Sequence, residues 1–216
     1  MIDKSIFREY DIRGIVPDQI NEHSVKVIAK AIALKCHNEL IDEVALGRDG
    51  RLSGNNLLLS LSSELQFLGI NVLNIGLVTS PLLYFAAKKI KSKSGIMITG
   101  SHNPKNYNGF KIVINDCPVS GIEIFDLISN ELVDSKDSGS EIIKRDIVDE
   151  YIDEVISDAS SINYPLKIVI DCGNGSASEI APKLIRKLGH KVIELYCKVD
   201  GNFPNHHPDP GKIENL

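Results

Sequence analysis

Helix-forming and strand-forming segments alternate along the first 132 residues, and this alternation constrains the fold more than any other feature. Short apolar runs typical of buried strands lie between amphipathic segments whose apolar residues recur with a helical period. The predicted strands are 42–47, 70–76, 94–99 and 109–115, and the predicted helices are 21–40, 53–69 (capped by Ser53), 81–91 and 120–132. This order predicts an α/β layer structure with a largely parallel or mixed β-sheet.

A second and smaller α/β unit is predicted after a polar segment. Residues 133–146 are rich in Ser, Asp and Gly, which is typical of a linker or domain edge. An amphipathic helix is predicted at 147–158, a strand followed by a Gly-rich turn and a helix start within 166–178, and a last strand at 191–196. Two strands fall short of the roughly 5–6 of an ordinary sheet, so we expect the unit to be incomplete and the chain to be part of a longer protein.

Composition excludes several classes of function. The chain of 216 residues has a net charge of −5 and no cluster of Lys and Arg, which argues against a nucleic-acid partner. No apolar run approaches the ~20 residues of a membrane span, and the N-terminus lacks the apolar core of a signal peptide. No two of the four cysteines have CxxC spacing, so we expect free, buried thiols in a cytoplasmic protein without a membrane partner.

The motif TGSHNPKNYNGFK (99–111) is the densest cluster of chemically active residues. Ser101 and His102 are neighbours, and neighbouring side chains of an extended segment point to opposite sides. His102 is therefore a poor general base for Ser101, and the GxSxG context of a serine hydrolase is missing. Residues 103–104 and 106–109 are strong turn formers, so an ordinary turn is the alternative interpretation.

The position of this loop favours a phosphate site over an ordinary turn. It leaves the carboxyl end of a buried strand, where open α/β sheets bind their ligands. It is rich in backbone donors and hydroxyls and ends at Lys111. Backbone N–H groups, hydroxyls and a cation are the groups that bind phosphate.

Four further motifs have a structural and a functional interpretation. FREYDIRG (7–14) and GRDGRLSG (47–54) are either surface turns with solvated charges or parts of a cationic site. In DCGNGSAS (171–178), the residues Gly173, Gly175 and Ser178 with Glu194 nearly match a dinucleotide fingerprint, although its third position is Ser. His206, His207 and Asp209 could contact a metal, but the spacing of known metal motifs is absent and a rigid Pro-rich loop is favoured.

Five of these segments together resemble one enzyme family. YDIRG (10–14), GRDGRLSG (47–54), TGSHNPKNYNGFK (99–111), DCGNGSA (171–177) and NFPNHHPDPGKIENL (202–216) occur in the order found in the α-D-phosphohexomutases, most closely the bacterial phosphomannomutase/phosphoglucomutase branch. The resemblance implies a mixed β-sheet with helices on both faces as domain 1 (1–138). It also implies that 139–216 is the N-terminal part of a second α/β domain.

The resemblance also implies roles for individual residues. In this family the loop serine carries a phosphoryl group between O1 and O6 of a hexose through a bisphosphorylated intermediate, which makes Ser101 the carrier. Lys111 and Arg13 resemble the cations that neutralise the transferring group, as its charge requires. His102 and Asn103 would support the loop and the phosphate, and Tyr10 would contact the substrate. Arg48 and Arg51 are further candidates for the same electropositive cleft.

The family's metal chemistry is only partly represented in this chain. The resemblance implies Mg²⁺ bound by one oxygen of phosphorylated Ser101 and by three aspartates of a DGDxDR loop, but this loop is absent from the 216 residues. We expect hexose 1,6-bisphosphate as activator, a hexose phosphate as substrate, a monomeric full-length enzyme and no turnover by this chain alone. The alternatives are a phosphoglucosamine mutase, a non-catalytic sugar-phosphate binding module and a dinucleotide-binding oxidoreductase fragment.

Overall fold

The computed structural model describes residues 2–128, 139–159 and 164–215. The strands are β1 (Ile12–Ile15), β2 (Glu43–Arg48), β3 (Asn71–Leu77), β4 (Gly95–Ile98), β5 (Tyr107–Ile114), β6 (Cys117–Val119), β7 (Ile142–Lys144), β8 (Lys167–Asp171) and β9 (Lys191–Leu195). The α-helices are α1 (Glu22–Asn38), α2 (Gly54–Phe67), α3 (Ser80–Lys89), α4 (Gly121–Ile128), α5 (Val148–Asp158) and α6 (Ala181–Lys187). The helices and strands predicted within the described residues are thus confirmed, while residues 129–132 of the predicted fourth helix lie outside them.

The first seven strands form one mixed sheet in the order β1-β5-β4-β2-β3-β7, with β6 paired to β5. Strand β2 pairs in parallel with β3 and β4, whereas β5 is antiparallel to β1, β4 and β6. Because β2, β3 and β4 run in the same direction, their carboxyl ends meet at one edge of the sheet. In open α/β sheets this edge is where ligands bind.

Helices cover both faces of this sheet, as the fold prediction requires. Successive side chains of a strand point to opposite faces. Accordingly, Val44 and Leu46 of β2 belong to the buried cluster that includes α1, α2 and α4, whereas Ala45 belongs to the cluster that includes α3 and α5. The sheet therefore separates two apolar cores, and their packing holds its carboxyl edge in place.

The sequence predicts a linker or domain edge at residues 133–146, and the linker alternative is wrong at residues 142–144, which form β7. This strand pairs in parallel with β3, and Ile142 packs against the first apolar core. A strand of three residues is too short to show the alternation of polar and apolar side chains, and its neighbours in sequence are polar. The sequence pattern therefore does not predict this strand. Residues 133–138 lie outside the described part of the chain.

The turn prediction for 106–109 is wrong for its last three residues. Tyr107, Asn108 and Gly109 begin β5, where Gly109 pairs with Arg13 of β1. Asn108 is fully buried, and its amide donates a 2.9 Å hydrogen bond to Ser53 Oγ. Ser53 precedes α2 but makes no side-chain capping bond, so the predicted cap is wrong. Pairing with a distant strand has overridden the local preference of Asn and Gly for turns.

The second unit packs directly on the first. Strands β8 and β9 pair in parallel, and α6 lies between them in sequence. Ile152 of α5 and Ile180 belong to the same buried cluster as Leu82 and Leu83 of α3. Among the described residues, no helix combines the length and the apolar character that crossing a membrane requires.

Candidate active site

Ser101 lies on a tight loop just beyond the carboxyl end of β4. Its backbone adopts the left-handed region with φ 52°, which is uncommon for a residue other than glycine. Its N–H donates a 2.9 Å hydrogen bond to Thr99 Oγ1, and the Asn103 amide donates one of 3.0 Å to the carbonyl of Gly100. These bonds fix the loop, and the half-buried Ser101 side chain faces a cleft.

Arg51 supports the Ser101 loop from inside the protein. Its side chain has no exposed surface, and its guanidinium donates hydrogen bonds to four loop carbonyls. These carbonyls belong to Ser101 (2.8 Å), Asn103 (2.7 Å), Pro104 (2.6 Å) and Tyr107 (3.0 Å). The prediction that Arg51 is a cation of the cleft is therefore wrong, because all of these donors are used inside the protein.

Asp49 is the carboxylate partner of this arrangement. Its Oδ2 accepts hydrogen bonds from Thr99 Oγ1 (2.7 Å), Gly100 N (3.3 Å) and Arg51 Nε (3.2 Å). Burial lowers the pKa of Arg51, and the nearby charge of Asp49 opposes that effect. The pair thus places one buried cation against one carboxylate and uses both to organise the Ser101 loop.

The predicted cations Arg13 and Lys111 share a second carboxylate, that of Asp11. This side chain is almost fully buried; it forms an ion pair with Arg13, and Lys111 Nζ lies 3.4 Å from its Oδ2. Arg13 and Lys111 come close to each other because their strands, β1 and β5, are neighbours in the sheet. Arg13 Nε is buried and has no hydrogen-bond partner among the described residues. Sequence reasoning missed Asp11, although it stands inside the YDIRG motif.

A cleft of about 460 Å³ separates the Ser101 loop from the Gly-rich turn of the second unit. Its lining from the first unit includes Asp49, Gly50, Thr79, Ser80, Pro81, Thr99, Ser101 and His102, and its lining from the second includes Asp171, Cys172, Gly173, Gly175, Ser176, Phe203, His206 and His207. Thr79 is the N-cap of α3 and makes no side-chain capping bond. A helix N-terminus favours anions, so α3 adds a feature suited to phosphate that the sequence reading overlooked.

His206 is anchored at the far wall of the cleft. Its Nε2 lies 3.0 Å from Asp171 Oδ1 and its Nδ1 lies 3.0 Å from the carbonyl of His207. The carbonyl of His207 and then the carboxylate of Asp171 raise the pKa of His206. Gly173 adopts φ 50°, and a Cβ there would lie 2.8 Å from the His206 ring, so the turn needs glycine.

Within the described residues, no three His, Cys, Asp or Glu side chains are grouped to hold a metal ion.

The structure brings only some of the predicted site residues together. Ser101 and His102 face the cleft, whereas Arg13 and Lys111 meet at Asp11 and do not line it. Tyr10 is 78% exposed.

Arg48 and Glu194 also lie outside the cleft. Arg48 donates a 2.9 Å hydrogen bond to the carbonyl of Asp49 and borders a different cavity with Lys144 and Arg145. Glu194, the acid of the dinucleotide pattern, is paired with Arg186.

Comparison with known proteins places the chain in a family. The models for phosphoglucomutase/phosphomannomutase alpha/beta/alpha domain I and domain II match residues 4–135 and 149–216. The chain belongs to the phosphoglucomutase/phosphomannomutase family. The near-match to a dinucleotide fingerprint therefore falls within domain II of this family.

Named relatives and a solved structure agree with this assignment. The chain is 46% identical over 213 residues to a phosphomannomutase/phosphoglucomutase of Pseudomonas putida, covering 98% of the chain and 46% of the relative. It is 45% identical to a phosphoglucomutase of Neisseria gonorrhoeae, covering 100% of the chain and 47% of the relative. A crystal structure of a family protein from Burkholderia thailandensis superposes with a TM-score of 0.92 at 36% identity, covering all of the chain and 49% of that protein. The chain thus spans about half the length of these relatives.

Proposed function

We propose that the chain is the N-terminal part of a phosphomannomutase/phosphoglucomutase that moves a phosphoryl group between O1 and O6 of a hexose. The observation that carries the proposal is the placement of Ser101. It faces the cleft from a loop that Arg51 and Asp49 hold rigidly, and the N-terminus of α3 lines the same cleft. The names of the relatives support the same class of reaction.

In the proposed reaction Ser101 begins as phosphoserine. The free hydroxyl of a hexose monophosphate attacks the phosphorus, the bond from phosphorus to Ser101 Oγ breaks, and a hexose 1,6-bisphosphate forms. Ser101 Oγ then attacks the other phosphoryl group, the bond from that phosphorus to the sugar oxygen breaks, and the isomeric monophosphate is released. Phosphoryl transfer depends on positioning and charge stabilisation, so a rigid loop is what this chemistry needs.

We propose that Lys111 and Arg13 stabilise the charge on the transferring group. Both are cations, and their shared partner Asp11 neutralises only one of the two charges. Lys111 Nζ at 3.4 Å is the looser contact with Asp11, so it is the cation we expect to turn toward a phosphate. His102 and Asn103 would support the phosphorylated loop, and the exposed Tyr10 would contact the sugar.

A magnesium ion does not fit the donor set of this chain by itself. The chain offers one ligand, an oxygen of phosphorylated Ser101, and the described residues contain no group of three or more side chains suited to a metal. We propose that the aspartate ligands come from outside these 216 residues, and that the chain alone does not turn over. The proposal includes hexose 1,6-bisphosphate as activator and a monomeric enzyme in the cytoplasm, with no nucleic-acid or membrane partner.

Phosphate transfer to Ser101 is the direct test. The complete protein is incubated with glucose 1,6-bisphosphate, and the site of the added phosphoryl group is mapped by mass spectrometry. We expect the group on Ser101, its loss in Ser101→Ala and its retention in the control Ser60→Ala on α2. A phosphoryl group on another residue, or full mutase activity of Ser101→Ala, would overturn the proposal. A folded protein that binds the bisphosphate without phosphorylation would instead indicate a binding module.

Rates with the 1-phosphates of mannose, glucose and glucosamine test the substrate. We expect conversion of the mannose and glucose compounds. Preference for the glucosamine compound would identify a phosphoglucosamine mutase instead.

A further inference from the structure

Two thiols meet where the strands of the second unit end. Cys172 follows β8 directly, Cys197 lies two residues beyond β9, and their Sγ atoms are 3.1 Å apart. Parallel pairing of β8 with β9 brings the two ends together, and Cys172 N donates a hydrogen bond to the carbonyl of Leu195. Tyr196 adopts φ 52°, so the chain turns immediately before Cys197.

The expectation that the thiols are buried is wrong for this pair. Both residues are half-buried, and Cys172 lines the cleft. A disulfide has an S–S length of about 2.05 Å, so bond formation requires the sulfurs to approach by only about 1 Å. The described residues offer no third side chain that would make these thiols a metal site.

We propose that Cys172 and Cys197 are a modification site, at which hydrogen peroxide entering the cleft forms a reversible disulfide. One of the two sulfurs attacks an oxygen of hydrogen peroxide, the O–O bond breaks, and the thiol proton leaves with the departing hydroxide as water while a sulfenic acid forms on that sulfur. The other sulfur then attacks the sulfenic sulfur, the S–O bond breaks, and its thiol proton leaves with the hydroxide as a second water. Two thiols are oxidised and one peroxide is reduced, and a dithiol reverses the reaction.

The surroundings of Cys172 affect the rate of the reaction. Burial, and then the hydrogen bond with Cys197, raise the pKa of Cys172 to about 12. A thiolate is the attacking species, so this shift slows attack by Cys172. Whichever sulfur is oxidised first, the other is already in contact with it and resolves the sulfenic acid.

The disulfide would connect two segments that border the cleft. Cys172 precedes the turn 173–175, and Cys197 precedes the segment 198–203. Within that segment, Gly201 packs closely on the loop containing Arg51. We therefore expect slower amide hydrogen exchange in residues 173–175 after oxidation.

Peptide mapping tests the inference independently of the mutase proposal, because it detects sulfur chemistry and not catalysis. The purified, reduced chain is treated with hydrogen peroxide, digested with trypsin and analysed without reductant. Each cysteine lies in a different tryptic peptide, so a link between 168–183 and 192–198 identifies the pair. We expect this link in the wild type, its loss on adding dithiothreitol, and two remaining thiols of the original four.

Matched variants make the result decisive. Cys117→Ser removes an exposed thiol and is expected to retain the link, whereas Cys172→Ser and Cys197→Ser are expected to lose it while keeping wild-type circular dichroism. Sulfinic or sulfonic acids at both residues without a link would overturn the inference. Links to Cys117 instead, or unmodified Cys172 and Cys197 when Cys117 is fully oxidised, would also overturn it.

Discussion

At the residue scale, the candidate site depends on a charged side chain that touches no solvent. Arg51 donates to four carbonyls of the Ser101 loop and to Asp49. A buried charge is tolerated only when it is paired and hydrogen-bonded; here Asp49 supplies the paired charge and the four carbonyls accept the remaining hydrogen bonds. The hydrogen bonds from Arg51 therefore stabilise the left-handed conformation of Ser101, and the Ser101 side chain faces the cleft.

Replacing Arg51 tests this role. We expect Arg51→Ala to lower the free energy of unfolding by about 3 kcal/mol, because it leaves Asp49 without its cation and the loop carbonyls without donors. Arg51→Lys is expected to restore little, since an ammonium lacks the planar fork of donors. Urea denaturation measures both variants.

The control for Arg51 is Arg186→Ala, which removes a half-exposed arginine paired with Glu194. Exposed ion pairs contribute little, so we expect a loss below about 1 kcal/mol. Equal losses for the two alanine variants would contradict the role assigned to Arg51.

The titration of His206 is a second residue-scale prediction. Its pKa is raised above 6.5 by the carbonyl of His207 and the carboxylate of Asp171. A group whose folded-state pKa is raised stabilises the fold fully below its unfolded pKa and loses that contribution as pH rises through the folded value. Stability from this contact should therefore decline as pH rises above about 6.5.

Titration by NMR measures this effect directly. Asp171→Asn is expected to lower the pKa of His206, whereas Asp153→Asn, which removes the same charge from α5, should leave it unchanged. An unchanged His206 titration in Asp171→Asn would rule out the carboxylate as a cause.

At the scale of elements, the site forms where the carboxyl ends of parallel strands meet a segment of the second unit. Strands β2 and β4 lead into the loops that hold Asp49 and Ser101. The segment 198–203 packs on the first of these loops, and the Phe203 ring lies 5.4 Å from the Arg51 guanidinium carbon. The loop that supports Ser101 is thus covered by the second unit.

A methyl group at Gly201 tests this contact. A Cβ at Gly201 would lie 2.6 Å from Leu52 N and 2.7 Å from the carbonyl of Gly50, and neither backbone atom can move easily. We expect Gly201→Ala to cost about 2 kcal/mol, as overpacking commonly does. In the exposed control Gly211→Ala, the nearest atom is a side-chain oxygen at 3.2 Å, and we expect almost no loss. Thermal unfolding compares them, and equal midpoints would show that this contact is not tight.

At the scale of the whole molecule, the two units share an apolar core. Ile152 and Ile180 are buried with residues of α3 and β3, and Lys187 of α6 forms a 2.9 Å ion pair with Asp153 of α5. The ion pair is exposed and contributes little, so the apolar cluster dominates the attachment. We expect the two units to unfold together.

Truncating Ile152 tests this coupling. The side chain is fully buried, so Ile152→Ala should cost about 3 kcal/mol through lost burial and the cavity left behind. Hydrogen exchange in β2 and in β8 should accelerate together. The exposed Ile213→Ala is the control and should change stability by less than about 0.5 kcal/mol. Acceleration confined to β8 would show that the units unfold separately.

Sequence alone determined the features that depend on local patterns. Alternating periodicity located strands β2 to β5 of the mixed sheet and the helices that cover it, and the position of the 99–111 motif after β4 indicated a ligand loop at the sheet edge. These predictions succeed because the hydrophobic period and the order of the elements depend only on residues that are close in sequence. Ser101 and His102 were found in this way, and both line the cleft.

Only the tertiary structure decided which distant residues meet. In the structure Arg51 supports the loop from inside the protein and is not a cation of the cleft. Residues 107–109 belong to a strand and not to a turn, and β7 forms within a polar segment. The tertiary structure also placed Cys172 against Cys197, twenty-five residues apart in sequence. Burial and partner choice depend on what packs against each side chain, and no local pattern carries that information.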